Sequence, residues 1–528
     1  MSILDDLITQ SLIERNSKNM SSLDIFTNMF NVFKNRLYYF QTDASTAIKN
    51  NKVGQISAPT GSGKSDIQAF TILDDMLSNF NQKRTYLYAS HRLMLNYQII
   101  VNILRILPQD TIDNLRIINV GSANVTCNDI NKKLKKIATK KGYDEKIIKY
   151  DNYLQTTNSK EIEKFISEST GFILIISTYN SLDRINSKIN ISLNDEAHVT
   201  ASQNDEAMFK NNIIHIKKFS EKVYFFTATR RTYGGTEGMN NKEIYGNIIY
   251  KVPPKELIDK GYICAPRIRI VEPVENIEGL NNIKMFEKTV IDSYMAHSDD
   301  IELNSSINPN GKMGAKMLVN TDGTETLNSL INSKELIDFA KKNDIHLYFV
   351  ASDDEVKHIM IYNGVKNQDY TRESWLDELS ELDRRDKAII FHIRILTEGV
   401  DLPDITGILL QRAVDIIFLL QSLGRSLRRT ELDRHNLINL KAFSVEEIEK
   451  QEKPYGWLII PKNLFLSQED FNEIIKIYVQ ISRTYEIPIH ELLLKTSKDN
   501  GLYKALMPRG TNDQDFVISI LKGAIKDL

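Results

Sequence analysis

The feature that most constrains the fold is an alternation, starting near residue 53, of short β-prone runs with segments long enough to form amphipathic helices. The first half of the chain contains six such runs: Val53–Ser57, Thr85–Tyr88, Leu115–Val120, Phe172–Ile176, Ile189–Leu193 and Val223–Phe226. Parallel strands need long crossover connections, which are usually helices. The order therefore predicts a parallel sheet with helices on both faces.

The alternation stops near residue 272 and then resumes, which indicates a second α/β domain rather than one larger sheet. The later β-prone runs are Lys316–Val319, Ile345–Val350, Ala388–Ile393 and Gly407–Leu410. Two helices and one strand are expected in the tail: Ser444–Lys450, Glu469–Tyr485 and Trp457–Ile460. The predicted parts are an N-terminal helical segment (1–35), two α/β domains (36–262 and 263–440, with a connector around 253–275) and a small mixed C-terminal extension (441–528).

Composition excludes several classes of protein. Of 528 residues, 41% are hydrophobic and 26% charged, with only 23 Gly and 12 Pro, so disordered and low-complexity classes are excluded. The two cysteines, Cys127 and Cys264, are too few for a zinc site or a disulfide framework. No run of about 18 apolar residues occurs, and Asp5 and Asp6 stand where a signal peptide would be basic. We expect a cytoplasmic protein without a membrane partner.

The charge is distributed unevenly although its sum is small. The chain has 67 Lys+Arg and 69 Asp+Glu, a net charge of −2, which excludes a uniformly basic surface. Residues 1–250 hold 31 basic and 25 acidic residues, and residues 251–528 hold 36 and 44. One cluster in the first half is purely basic: Lys132, Lys133, Lys135, Lys136, Lys140 and Lys141. A solvated helix face is the ordinary interpretation of such a run, and contact with phosphates is the alternative.

The strongest local motif is a glycine-containing loop that follows the strand Val53–Ser57 and precedes a predicted helix, Asp66–Leu77. The loop reads Ala58-Pro59-Thr60-Gly61-Ser62-Gly63-Lys64-Ser65. Such a loop wraps backbone N–H groups around a phosphate, while Lys64 reaches the β/γ-phosphates and the Ser65 hydroxyl binds Mg²⁺. An ordinary glycine-rich turn is the alternative, and the scarcity of glycine elsewhere in the chain argues against it.

A metal-binding carboxylate is expected downstream, and Asp195-Glu196-Ala197-His198 follows the β-prone run Ile189–Leu193. Asp195 would hold Mg²⁺ through water, and Glu196 would polarise the attacking water. The tetrapeptide by itself also occurs in solvated helices, and Asn194 interrupts the apolar approach to it. The phosphate loop upstream makes the functional interpretation the stronger one.

In their order, these segments resemble superfamily 2 helicases and translocases, the DEAD/DEAH-type motors with two RecA-like domains. The resemblance covers roughly residues 36–430. It is carried by Arg36 with Gln41, by the phosphate loop, and by Ser90-His91-Arg92, Ser177-Thr178-Tyr179, Asp195-Glu196-Ala197-His198, Thr227-Ala228-Thr229, Lys316–Asn320, Thr397–Pro403 and Gln421–Arg428. It implies an α/β fold of two tandem RecA-like domains, with ATP and Mg²⁺ as cofactors.

The resemblance also implies roles for residues outside the phosphate loop. Gln41 would contact adenine, Gly399 and Asp401 would lie at the ribose, and His198 with Thr227, Ala228 and Thr229 would couple the ATP site to nucleic acid. The implied nucleic-acid contacts are His91, Arg92, Thr178 and Thr397.

The pattern Gln421-x-x-Gly-Arg-x-x-Arg is the last segment of the resemblance, and a physical reason explains why it contains arginines. The planar guanidinium groups of Arg425 and Arg428 can bind the γ-phosphate in a way that lysine cannot copy. A basic, solvated helix end is the alternative interpretation.

The resulting hypothesis is a nucleic-acid-stimulated ATPase that unwinds or moves along nucleic acid. The segments Leu396–Pro403 and Glu256–Tyr262 are more similar to restriction-enzyme motor subunits and excision-repair helicases than to RNA remodellers, which favours DNA over RNA. Three alternatives stay open: a duplex translocase without strand separation, a DEAD-type motor acting on polypeptide, and a nucleotide-gated binding module. A protein partner at the C-terminal extension is also left open.

The lysine run gives a first testable prediction. Neutralising Lys132, Lys133, Lys135 and Lys136 should weaken the stimulation of ATP hydrolysis by nucleic acid, because fewer phosphates are neutralised, and should leave basal hydrolysis intact. ATPase rates with and without nucleic acid measure both quantities. Unchanged stimulation would return the run to the solvated-face interpretation.

Overall fold

The computed structural model describes residues 20–91, 93–121, 126–128, 130–132, 150–202, 207–271, 282–305, 313–321, 323–351, 358–370, 372–393, 402, 404–410, 416–440, 444–461 and 468–487. These residues form two compact units: the second consists of the chain from Pro253 onward together with Thr60–Ser62, and the first consists of the remainder. Among the described helices, none combines the length and the apolar character that a membrane span requires.

The first unit contains eight strands and eight helices in its described part. The helices are α1 Ser22–Arg36, α2 Tyr39–Lys49, α3 Lys64–Ser78, α4 Leu93–Leu104, α5 Gln109–Asn114, α6 Ser159–Ser167, α7 Met208–Phe219 and α8 Lys242–Tyr245. The strands are β1 Val53–Ser57, β2 Arg84–Ser90, β3 Arg116–Val120, β4 Tyr153–Gln155, β5 Phe172–Thr178, β6 Ile189–Asn194, β7 Ser220–Thr227 and β8 Ile248–Lys251. Two 3₁₀ turns follow β5 and β6: Tyr179–Arg184 and Ala197–Thr200.

These strands form one sheet in the order β4-β3-β5-β2-β6-β7-β1-β8, and every pairing in it is parallel. All six strands predicted from the β-prone runs are confirmed. The two strands that the sequence analysis missed, β4 and β8, are the short edge strands. Edge strands are buried less than central ones, so their sequences carry a weaker apolar signal.

Side chains on the central strands alternate between two apolar cores, one on each face of the sheet. On β2, Tyr86 and Tyr88 enter one core, whereas Leu87 and Ala89 enter the other. The first core also receives Phe26 from α1. The alternation follows from the period of two in a strand, and it explains why these strands are apolar throughout.

The second unit is also an α/β layer structure. Its helices are α9 Pro254–Asp259, α10 Asn282–Ser305, α11 Thr324–Ile331, α12 Lys334–Lys342, α13 Arg372–Glu381, α14 Ile416–Ser426, α15 Glu431–Leu440, α16 Val445–Glu449 and α17 Gln468–Tyr485. Its strands are β9 Ala265–Val271, β10 Lys316–Asn320, β11 Ile345–Val350, β12 His358–Tyr362, β13 Val365–Tyr370, β14 Lys387–His392, β15 Gly407–Leu409 and β16 Tyr455–Pro461.

The second sheet is mixed and runs in the order β13-β12-β11-β14-β10-β15-β16-β9. Six strands are parallel, and β12 with β13 forms an antiparallel hairpin at one edge. The four predicted strands of this domain are confirmed, whereas β9 and the hairpin were not predicted. The hairpin turns at Asn363 and Gly364, which both have positive φ.

The C-terminal extension contributes directly to this sheet. Strand β16, which includes the predicted run Trp457–Ile460, lies between β15 and β9 and is buried along its whole length. Helix α17 packs against α14 and α9. The second unit therefore continues past residue 440, because a strand from beyond that point fills a gap within its sheet.

A buried histidine connects α10 to the sheet of the second unit. The Nε2 atom of His297 lies 2.8 Å from Oγ1 of Thr406. The Thr406 hydroxyl donates to the carbonyl of Lys316 at 3.0 Å, so His297 is the donor in the first bond. Gly407 leaves the room for this ring, since a Cβ there would lie 2.7 Å from Nε2. Burial, with a smaller effect of Lys453, lowers the pKa of His297 to about 3.

This pKa predicts a loss of stability in acid. The folded state keeps His297 neutral, while the unfolded chain takes up a proton below about pH 6.5, so this group destabilises the fold by up to ~1.4 kcal/mol per pH unit between those limits. His297→Gln keeps an N–H donor and does not titrate. We expect its melting temperature to fall less steeply than that of the parent from about pH 7 to pH 5. Equal slopes would contradict this assignment.

Candidate functional site

The carboxyl ends of the parallel strands in the first unit bring several predicted residues to one edge of the sheet. Ala58 follows β1, His91 follows β2, Asp195 follows β6 and Ala228 follows β7. Thr178 is the last residue of β5. Parallel strands end at the same edge, so segments far apart in the sequence become neighbours there, and this is where α/β sheets bind ligands.

The phosphate loop connects β1 to α3. Gly61 and Gly63 have φ values of 84° and 75°, a left-handed conformation that favours glycine. The Nζ atom of Lys64 donates to the carbonyls of Ala58 at 3.2 Å and Pro59 at 3.5 Å, so the ammonium group lies across the loop. Ala58 N–H donates to the carbonyl of Thr227 at 3.1 Å, which joins the loop to β7.

Gln41 on α2 braces this loop from the side. Its Nε2 donates to the carbonyl of Gly63 at 3.2 Å, and its Oε1 accepts from the backbone N–H of Tyr38 at 2.9 Å. A Cβ on Gly63 would lie 2.5 Å from Nε2 of Gln41. The sequence placed Gln41 near a nucleotide, and the structure places its amide directly on the phosphate loop.

The residues of the loop fit the phosphate groups of a nucleoside triphosphate. A Cβ at Gly63 would fill the place that Gln41 occupies, Lys64 provides a cation, and the first turn of α3 directs N–H groups toward the loop. Ser65 is the second residue of α3 and is partly exposed, so its hydroxyl is accessible to a hydrated Mg²⁺. Ser65 and the carboxylate of Asp195 are the residues that would hold the metal.

The Asp195 carboxylate is buried and is held from two directions. Its Oδ1 accepts from Nε2 of Gln68 at 2.9 Å, and its Oδ2 accepts from the hydroxyl of Tyr88 at 3.1 Å. Its backbone is held as well. The N–H of Asp195 donates to the carbonyl of Ala89 at 2.8 Å, and the carbonyl of Asp195 accepts from the Tyr179 hydroxyl at 2.7 Å. The carboxylate therefore has little freedom to rotate.

Asp195 and Glu196 are neighbouring buried carboxyls with opposite pKa shifts. Burial and the adjacent Glu196 charge raise the pKa of Asp195, and the cation of Lys64 opposes this. For Glu196, burial alone would raise the pKa, but Lys64, His198 and His91 outweigh it and lower the pKa to about 2. Glu196 is therefore ionised at neutral pH.

A chain of polar contacts connects Glu196 to the end of β7. Oε2 of Glu196 lies 3.5 Å from Nδ1 of His198, which lies 3.1 Å from Oγ1 of Thr227. The Thr227 hydroxyl donates to the carbonyl of Thr229 at 2.9 Å, so His198 Nδ1 carries the proton in its bond to Thr227. Glu196 has a φ of 48°, an uncommon backbone conformation for a residue other than glycine. Three of the four predicted coupling residues, His198, Thr227 and Thr229, are thus connected within the first unit.

Of the predicted nucleic-acid contacts, the structure places His91 and Thr178 at the same sheet edge as the phosphate loop. Both side chains are partly exposed. Lys132 is exposed. The other predicted residues lie outside the described part of the chain: Arg92, Lys133, Lys135, Lys136, Lys140, Lys141, Thr397, Gly399 and Asp401.

In the second unit, Gln421 and Arg425 lie one turn apart on α14 and are both 5% exposed, and Arg428 follows the helix. The end of α14 is held by the Cys264 N–H, which donates to the carbonyl of Leu427 at 2.8 Å. Lys453 Nζ donates to the carbonyl of Arg428. Gln421 and Arg425 are thus buried at this helix end, whereas Arg428 is partly exposed.

Sequence reasoning missed Gln68 and Tyr88. Gln68 lies four residues after Lys64 on α3, and that spacing puts both on one face of the helix, which is the signal that could have identified it. Tyr88 carries no comparable signal, because it occupies an ordinary buried strand position.

Similarity to known proteins agrees with this architecture. No protein-family model matches the chain. Two proteins named probable helicase, from different isolates of African swine fever virus, are each 22% identical to it over 263 residues, which is 50% of this chain and 27% of the viral protein. The matched region thus spans about a quarter of those relatives.

Two solved structures share the fold over nearly the whole chain. The ATP-dependent Type ISP restriction-modification enzyme LlaBIII bound to DNA has a TM-score of 0.56 and 16% identity, covering 93% of this chain and 32% of that one. Dbp5 of S. cerevisiae bound to RNA and ADP BeF3 has a TM-score of 0.50 and 14% identity, covering 96% and 98%. The fold expected from the motifs is confirmed: this chain has two tandem RecA-like α/β domains, a fold that it shares with these two structures.

Proposed function

We propose that this chain is an ATP-dependent nucleic-acid helicase or translocase, in which hydrolysis of ATP drives unwinding or movement along DNA. The observation that carries the proposal is the arrangement of Lys64, Asp195 and Glu196 at one sheet edge, next to a left-handed glycine loop. The helicase-named viral relatives and the two nucleic-acid-bound structures with this fold support it.

The proposed chemistry is in-line attack of water on the γ-phosphate. Mg²⁺, when bound through Ser65 and Asp195, supplies Lewis-acid polarisation of the phosphate oxygens. Lys64 neutralises the β- and γ-phosphates. Glu196 has a lowered pKa beside Lys64 and His198, so it is ionised and can orient the attacking water by accepting its hydrogen bond.

Residues beyond the phosphate loop complete the proposal. Gln41 contacts adenine, and Gly399 with Asp401 binds the ribose. The polar chain from Glu196 through His198 to Thr227 and Thr229 transmits the state of the phosphates to the end of β7. The proposed nucleic-acid contacts are His91, Arg92, Thr178 and Thr397.

The proposed partner is nucleic acid, with DNA favoured over RNA. The segments 256–262 and 396–403 support DNA by their similarity to restriction-enzyme motors, and LlaBIII, a restriction enzyme, was solved bound to DNA. We also propose a protein partner at the C-terminal extension. Helix α17 packs on α14, so a protein bound there can alter the helix that carries Arg425.

The central test is ATP hydrolysis by the parent and by Lys64→Ala, with single-stranded DNA, duplex DNA, RNA and an unfolded protein as activators. We expect Lys64→Ala to lose hydrolysis, because the phosphates lose their cation, while Lys49→Ala, at an exposed position on α2, keeps the parent rate. Stimulation by DNA should fall by at least about tenfold between 50 and 200 mM salt, as counterion release requires.

Several results would contradict the proposal. Parent-like hydrolysis by Lys64→Ala would refute the site, and stimulation by the unfolded protein alone would favour a polypeptide motor. Stimulation by duplex DNA without strand displacement would favour a duplex translocase. Turnover at background level would favour a nucleotide-gated binding module.

The role proposed for Arg425 and Arg428 is contact with the γ-phosphate in the transition state. Arg425→Ala should retain nucleotide binding and lose turnover by a factor of about 10³ or more, and Arg425→Lys should not restore it, because lysine lacks the planar fork. Arg385→Ala, at an exposed position in the same unit, is the matched control. Loss of binding together with turnover would argue against this role. Equilibrium binding and single-turnover hydrolysis separate the two effects.

A further inference from the structure

The buried carboxylate of Asp195 has a hydrogen-bond donor on each oxygen, and neither donor belongs to the motifs that resemble known motors. Nε2 of Gln68 donates to Oδ1 at 2.9 Å, and the hydroxyl of Tyr88 donates to Oδ2 at 3.1 Å. All three side chains are at least nine-tenths buried. Two bonds from different elements fix both the position and the rotation of this carboxylate.

The two donors come from elements that also hold functional segments. Gln68 lies one helical turn after Lys64 on α3, so it follows the phosphate loop rigidly. Tyr88 lies on β2, which pairs with β6 next to Asp195 and ends immediately before His91. The Asp195 carboxylate is therefore held between the helix of the phosphate loop and a strand that leads to a proposed nucleic-acid contact.

Gln68 also presents a buried acceptor. Its Oε1 has no hydrogen-bond partner in the described part of the chain, and the side chain is 0% exposed. The two heavy atoms of an amide end are roughly 2.2 Å apart, so Oε1 lies within about 5 Å of the Asp195 carboxylate. An acceptor left without a donor in a buried place is unfavourable. Mg²⁺ in proteins keeps several of its waters, and metal-bound waters are hydrogen-bond donors.

We propose that Gln68 and Tyr88 are positioning residues for Mg²⁺ at this site. Nε2 of Gln68 and the hydroxyl of Tyr88 hold the Asp195 carboxylate in its metal-binding orientation, and Oε1 of Gln68 accepts a hydrogen bond from a water of the Mg²⁺ coordination sphere. This inference rests on the proposed function. It extends that function by naming two residues that set the affinity for the metal and do not touch the nucleotide.

The test is the Mg²⁺ dependence of nucleotide binding, measured at equilibrium with a fluorescent, non-hydrolysable ATP analogue. Gln68→Leu and Tyr88→Phe should raise the Mg²⁺ concentration at half-saturation by about tenfold or more, as the loss of such supporting partners does at other metal sites. The affinity for the analogue in EDTA should stay unchanged. A purely structural role would lower both affinities together.

Matched controls lose a comparable buried hydrogen bond without touching Asp195. Tyr86→Phe, two residues earlier on β2, removes a hydroxyl that donates to Oδ2 of Asp75 at 3.0 Å. Thr71→Val on α3 removes a hydroxyl that donates to the carbonyl of Ile67 at 2.8 Å. Both should keep the parent Mg²⁺ dependence.

Three outcomes overturn the inference. The first is a parent-like Mg²⁺ dependence in Tyr88→Phe and Gln68→Leu, and the second is an equal loss of affinity in EDTA. Because Tyr88→Phe is nearly isosteric, it remains informative if Gln68→Leu fails to fold. In the third, the parent shows no Mg²⁺-dependent binding of the analogue, which refutes the proposed function along with the inference. In the first two outcomes the parent still binds the analogue with Mg²⁺, and only the inference fails.

Discussion

The parallel alignment of the strands in the first unit is the constraint on which the rest of the site depends. Parallel strands end at one edge of a sheet, so the loops after β1, β2, β6 and β7 converge although long stretches of chain separate them. The central strands are buried on both faces, which leaves the loop ends as the places where polar side chains can gather. The phosphate loop, Asp195 and Thr227 lie together for this reason.

Because these loops converge, two adjacent carboxyls have pKa values that are shifted in opposite directions. Asp195 and Glu196 are both buried, yet the pKa of the first is raised and that of the second is lowered to about 2. Interactions with His198 and His91 contribute to the lowered pKa of Glu196, whereas the charge of Glu196 contributes to the raised pKa of Asp195. The roles proposed for these two carboxyls, Asp195 toward a metal and Glu196 toward a water molecule, depend on this difference.

The second unit shows how much of a domain can come from unexpected parts of a chain. Strand β16 lies between β15 and β9, so residues beyond 440 are needed to complete this sheet. The buried polar contacts at the end of α14 depend on the same region, since Lys453 donates to the carbonyl of Arg428. The C-terminal segment thus supports the helix that carries Gln421 and Arg425.

The sequence alone determined the alternating architecture, eleven confirmed strands of the two sheets and the phosphate loop, because apolar period and glycine placement are local properties. It did not identify the short edge strands or the β12–β13 hairpin, whose burial depends on neighbours. Only the tertiary structure decided which side chains hold Asp195. Gln68 and Tyr88 lie 127 and 107 positions away from it in the chain. The spacing of Gln68 from Lys64 indicates only a shared helix face, and no local pattern indicates that either side chain contacts Asp195. The sequence shows which residues can carry the chemistry, whereas the orientation of their side chains depends on packing.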